Sequence, residues 1–166
     1  EIVAKLLSIR KNNIDDIKLF LDPKIKNLLP NPLNLKDMKN AIERSYKSIS
    51  NGELIGIFGD YDVDGASSTA LLARYFYSIN QKIKTYIPNR QTEGYGPNII
   101  GFKNLINNGA KIIFTVDCGT SSFVPINHAQ KLNIDVIVLD HHQSDIKLPN
   151  ACAIVNPNRY DEESEL

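Results

Sequence analysis

Cysteine is scarce: Cys118 and Cys152 are the only two, too few for a disulfide framework, and a reducing, cytoplasmic setting is the expectation. No apolar run approaches the length of a membrane span, and the opening residues lack a signal peptide's pattern. An excess of charge of one sign is missing too. Lys+Arg 19 balance Asp+Glu 19 over 166 residues, so composition gives no global electrostatic reason to expect nucleic acid. Internal repeats and low-complexity tracts are absent. What is present is an ordinary apolar content, 42% hydrophobic, which excludes intrinsic disorder and suffices for one buried core. Glu1 is not a natural initiator and the acidic end Asp161–Leu166 closes no element, so a piece of a longer protein is expected.

The organisation changes near residue 50. Residues 1–50 read as a helical segment, with helices at Ile2–Lys11, Ile14–Leu21 and Leu35–Ser50, the last from apolar Leu35, Met38, Ala41, Ile42 and Tyr46. Asp22-Pro23 and the Pro30–Pro32 stretch break them. Residues 51–166 alternate short apolar runs with helical patterns. Strands are expected at Leu54–Gly59, Ile83–Pro88, Lys111–Val116, Asp135–Leu139 and Ala151–Val155. Helices are expected at Ala66–Ile79, Pro97–Asn107 and Ser122–Leu132. Such alternation predicts an α/β fold, a mostly parallel sheet with helices on both faces, preceded by short N-terminal helices.

Acids follow the strands. Leu54–Gly59 runs into Asp60-Tyr61-Asp62-Val63-Asp64-Gly65, Ile112–Val116 into Asp117-Cys118-Gly119, and Val136–Leu139 into Asp140-His141-His142. A parallel sheet delivers all these carboxyl ends to one rim, where open α/β proteins place their sites. So much negative charge in one place is costly unless cations neutralise it. Oxygen ligands with imidazole suit Mn²⁺ or Mg²⁺, and two such ions form a clamp for in-line attack at phosphorus.

Other patterns fit less well. Asp-x-Asp-x-Asp-Gly also opens an EF-hand loop, but Leu71 stands where the bidentate Glu belongs. A phosphoacceptor receiver domain has no use for adjacent histidines, and the Gly56 and Gly59 pair lacks dinucleotide spacing. Asp64 or Asp140 alone would serve as a helix N-cap. His128 reads as a surface residue, and both cysteines as small buried groups. Neighbours on an extended segment point apart, so one of His141 and His142 is expected to bind metal while the other faces a phosphate or an outer acid. Ser67 and Ser68, at the start of a helix, and Arg90 are candidates to hold a phosphate. Tyr95 is a candidate to stack on a base.

In order and spacing, Asp-x-Asp, Asp117-Cys118-Gly119 and Asp140-His141-His142 resemble the DHH phosphoesterase superfamily. The segments Ile87–Arg90, Glu93-Gly94-Tyr95-Gly96 and Asn156-Pro157 resemble its single-strand-specific exonuclease branch. The resemblance implies a site for two divalent ions, Mn²⁺ or Mg²⁺. Asp62, Asp64, Asp117 and His141 match metal ligands, and Asp140 and His142 match catalytic positions, with His142 near the scissile phosphate. Relatives carry a histidine where Phe58 stands, and Asp60 is the substitute this sequence offers. The implied function is 5′-to-3′ hydrolysis of single-stranded DNA in repair and recombination, with replication or repair proteins as possible partners. A DHH hydrolase of short oligonucleotides, cyclic dinucleotides or pyrophosphate is the alternative, and an inactive scaffold the alternative from another class. The family's final aspartate and a second, substrate-gripping domain have no counterpart in these residues, so the chain alone is expected to be inactive.

Overall fold

A computed structural model describes residues 2–10 and 13–164. The first helices are α1 (Ile2–Arg10), α2 (Ile14–Leu21) and α3 (Ile25–Leu28). Lys11, the expected end of the first helix, lies outside the described residues. Asn13 caps α2 by accepting from the Asp16 amide at 2.8 Å. These helices belong to a compact unit that ends at Asn31.

A second unit begins at Pro32 and holds everything else. It opens with a 3₁₀ turn (Pro32–Asn34) and α4 (Met38–Ser50). Then come β1 (Leu54–Gly59), α5 (Val63–Ser78), β2 (Ile83–Tyr86), α6 (Ile99–Asn107), β3 (Ala110–Val116), α7 (Phe123–Lys131), β4 (Asp135–Leu139) and β5 (Ala153–Val155). The five strands form one sheet in the order β2-β1-β3-β4-β5, parallel throughout. Among the described residues no helix is long and apolar enough to cross a membrane.

Both faces of this sheet are covered, which is why its inner strands read as continuous apolar runs. Ile55, Ile57, Ile112, Phe114, Val116, Ile137 and Val155 pack with Ala41 of α4 and Ala73 and Phe76 of α5. On the opposite face Phe58, Ile113, Val136, Val138 and Ile154 pack with Phe102 and Leu105 of α6 and Ile126 and Ala129 of α7. Residue alternation along β1 and β3 assigns each side chain to its face.

The two compact units meet at the Asn31–Pro32 boundary. Helix α4 belongs to the sheet, where its Arg44 side chain bonds Asp135 through Nε and Glu53 through Nη2 (2.8 Å). It also begins later than Leu35, because Asp37 has a left-handed backbone (φ 61°) that no helix continues through.

Candidate metal centre

The carboxyl ends of β1, β3 and β4 meet on one rim. β1 pairs with β2 on one side and β3 on the other, so the rim includes the point where strand order reverses, the usual position of an α/β site. Directly after β1, Asp60 is fully buried. Its Oδ1 accepts from the Gly96 amide at 3.3 Å, and its Oδ2 has no hydrogen-bond partner. Asp62 ends the turn and caps α5 by accepting from the Gly65 amide at 2.9 Å. Only glycine fits at position 65, because a Cβ there would lie 2.4 Å from the Asp60 carbonyl oxygen. Exposed Asp64 shares with Ser67, Ser68, Asp117, Asp140 and His141 the wall of a cavity of about 440 Å³.

After β3 the chain turns sharply. Asp117 has φ 60°, and its amide donates to the Leu139 carbonyl at 2.9 Å. The carboxylate is nearly buried; Oδ1 lies 2.9 Å from His141 Nε2, and Oδ2 is unpartnered. After β4, Asp140 lies buried under a set of donors. Thr120 N (3.0 Å) and Oγ1 (2.7 Å) serve one oxygen, and the amides of His141 (2.8 Å) and His142 (3.2 Å) serve the other. His142 Nδ1 stands 2.7 Å from that second oxygen.

The electrostatics follow from this geometry. Burial pushes the Asp117 carboxyl up, and the Asp62 charge beside it adds to the rise. The Gly65 amide holds Asp62 below its ordinary range. Burial alone would raise Asp140, but the Thr120 hydroxyl and amide together with His142 outweigh it, and its carboxyl sits low. The hydrogen bond to Asp140 raises His142.

Asp117, His141 and His142 each offer a ligand atom, all within 4.8 Å of one another. Among the described residues no lysine or arginine pairs with Asp60, Asp62, Asp64, Asp117 or Asp140; Asp117 pairs with His141 and Asp140 with His142. Unpartnered carboxylate oxygens on buried Asp60 and Asp117 are costly without a counter-charge and complement a hard cation. The residues present fit a divalent metal.

The model of the DHH family, N-terminal domain, matches residues 54–165. The chain belongs to the DHH family. It is 37% identical over 159 residues to the single-stranded-DNA-specific exonuclease RecJ of Bacillus subtilis, covering 95% of this chain and 20% of that protein. To RecJ of Escherichia coli it is 40% identical over 144 residues, covering 85% of this chain and 24% of the relative. The chain thus spans about a fifth to a quarter of the length of these relatives. A solved structure of exonuclease RecJ bound to manganese superposes with a TM-score of 0.72 at 28% identity, over 82% of this chain and 35% of that one.

Within the DHH site several expectations are amended. The histidine rings do not point apart: their centroids are 4.6 Å from each other, because the chain leaves the strand at Leu139 and alternation no longer applies. The helix cap is Asp62, whereas Asp64 is free of that duty and Asp140 holds a loop. Phe58 is a buried ring stacked on Tyr86 (centroids 5.5 Å apart), so it offers nothing to a metal. Arg90 stands exposed over the Tyr61 ring, 5.3 Å from its centroid, outside the acid cluster. Tyr95 brings its hydroxyl to 3.1 Å from His142 Nε2 and meets the Tyr61 ring edge-on.

Cys118 is buried, but Cys152 is exposed just before β5 begins. His128 is half-buried, with Nε2 turned inward. Sequence reasoning missed Thr120, whose only signal was a hydroxyl three residues after Asp117. It also missed Glu93 as a brace: its carboxylate accepts from Tyr86 Oη (2.7 Å), Asn98 Nδ2 (3.1 Å) and the Asn89 amide (2.9 Å), shaping the loop that carries Tyr95.

Proposed function

We propose that this chain supplies the metal-binding rim of a DHH-family phosphodiesterase that degrades single-stranded DNA from the 5′ end. The observation that carries the reading is the convergence of Asp117, His141 and His142 on a rim of buried acids without a lysine or arginine partner among the described residues. The names of the relatives, single-stranded-DNA-specific exonucleases, supply the substrate class.

Asp62, Asp64, Asp117 and His141 would hold two divalent ions, Mn²⁺ or Mg²⁺, with Asp60 taking the place of the ligand lost at Phe58. Bound there, the ions supply Lewis-acid polarisation of the phosphodiester and acidify water for in-line attack. The protein's own part is positional. Asp140 orients His142 toward the scissile phosphate, Ser67 and Ser68 line the cavity where a phosphate would enter, and Tyr95 brings its hydroxyl to the His142 ring. Exposed Arg90 and half-buried Tyr61 form an edge on which a base or phosphate can rest. Assembly with replication or repair proteins, in the cytoplasm, fits such an activity.

The test is hydrolysis by the protein that carries this chain at full length, with Mn²⁺, of end-labelled single-stranded DNA and of cyclic dinucleotides. Preferential release of 5′ mononucleotides from DNA is expected, and preference for the cyclic substrate would replace this reading with the small-ester alternative. The 166-residue chain by itself is expected to bind Mn²⁺ but to leave DNA intact, because a loosely completed ion cannot hold near-attack geometry. Degradation by the chain at the parent's rate would mean that the ligand set is closed without further residues.

A further inference from the structure

Asn156 follows β5, is completely buried, and belongs to no acid cluster. Its Nδ2 donates twice, to Thr120 Oγ1 at 2.8 Å and to the His142 carbonyl at 2.9 Å. Its Oδ1 accepts from the Asn158 amide at 2.8 Å. A carbonyl on one end and an N–H on the other leave no doubt which atom is nitrogen. Direction then passes along the chain of bonds. Thr120 Oγ1 accepts a hydrogen bond from Asn156, so its own single O–H donates to Asp140 Oδ2. An ionised Asp140 only accepts, and its Oδ1 faces His142 Nδ1. Nδ1 must therefore carry the ring proton, and Nε2 is left as an acceptor facing the Tyr95 hydroxyl at 3.1 Å. A second asparagine of the same turn, Asn158, donates from Nδ2 to the His141 carbonyl.

We propose that Asn156 is a positioning residue for the DHH histidines: through Thr120 it anchors the Asp140 carboxylate that sets the Nδ1–H form of His142, and through the His142 carbonyl it fixes where that ring stands. The proposal rests on the reading of His142 as a member of the site.

The experiment is long-range ¹H–¹⁵N spectroscopy of the histidine rings in the labelled chain, without metal or substrate, at a pH where His142 is neutral. In the wild type, Nδ1 is expected to resonate as protonated and Nε2 as bare. Asn156→Asp turns the donors into a second acceptor, so the Thr120 hydroxyl is drawn from Asp140. Both His142 tautomers then appear, with Mn²⁺ affinity little changed. Thr120→Val cuts the same path from the other side with Asn156 intact and gives the same signature, whereas Thr120→Ser restores the wild-type spectrum. Should Asn156→Asp fail to melt cooperatively, the Thr120 pair carries the test. Wild-type ring signals in folded Thr120→Val, or mixed tautomers already in the wild type, overturn the proposal. A parent protein without nuclease activity would overturn the proposed function and leave the tautomer result standing.

Discussion

The two ends of the sheet place acids on the same strands and treat them oppositely. At the amino end, Asp135 opens β4 and Glu53 precedes β1, and Arg44 of α4 engages both carboxylates. At the carboxyl end, Asp140 follows β4 and Asp60 follows β1; imidazole, hydroxyl and backbone N–H groups meet the one, the Gly96 amide the other. Protein cations at one end make the acids part of the fold. Their absence at the other leaves a charge deficit that only something from outside can balance.

Breaking the paired end gives the largest change. Arg44→Ala leaves Glu53 and Asp135 without a cation, and a loss of about 3 kcal/mol is expected, at the low end for buried pairs because Asp135 is half-exposed. Urea melts measure it, and Mn²⁺ affinity should be unaltered. A parallel loss of affinity would mean the two ends are not independent. At the unpaired end, Mn²⁺ at about 100 times its dissociation constant is expected to add about 2.7 kcal/mol, reversed by chelator. A melting curve indifferent to millimolar Mn²⁺ would remove the metal from this rim. His141→Ala should abolish most of that gain and His142→Ala little of it, since His142 Nδ1 is already committed to Asp140.

Asp117→Asn sharpens the contrast by changing sign with conditions. Asparagine tolerates φ 60° and still accepts from His141, but it removes a buried charge beside Asp62. Without metal the variant should be more stable by about 1 kcal/mol, and with saturating Mn²⁺ less stable than the wild type. Calorimetric melting in both conditions decides.

The smallest effect concerns Asp161, a second structurally paired acid. The Arg159 guanidinium and Lys36 hold it down to about 2 from 3.8. A depressed carboxyl stabilises the fold above its unfolded value, and that contribution is lost as pH falls from near 3.8 through about 2. Half-exposed, it is worth less than about 1 kcal/mol. Asp161→Asn should flatten that stretch of the stability profile and leave the neutral region nearly unchanged.

Much of this contrast is visible in the residue string, and the reason is local. Strands covered on both faces must be apolar throughout, so β1, β3 and β4 declare themselves, and the acids that follow them need no further pattern. Helix α4 misleads because Leu35 packs against the same core as Met38, imitating a helical step across the left-handed Asp37. Cys152 misleads because a small apolar residue beside a strand reads as core. Asn156 shows only as half of the Asn156-Pro157 pair, and its role does not show, because its partners Thr120 and His142 are brought to it only by the fold.

Because every strand is parallel to its neighbours, no pair in this sheet can close as a hairpin. Each pairing waits for a crossover, which makes contacts long-range and folding slow. Asp62, Asp117 and His141 come from the ends of three such strands and are strangers in the unfolded chain. A cation that requires all three finds its ligands only after the barrier has been crossed. It therefore acts as a latch: the rate of folding stays the same, and the rate of unfolding falls by the whole of its binding energy.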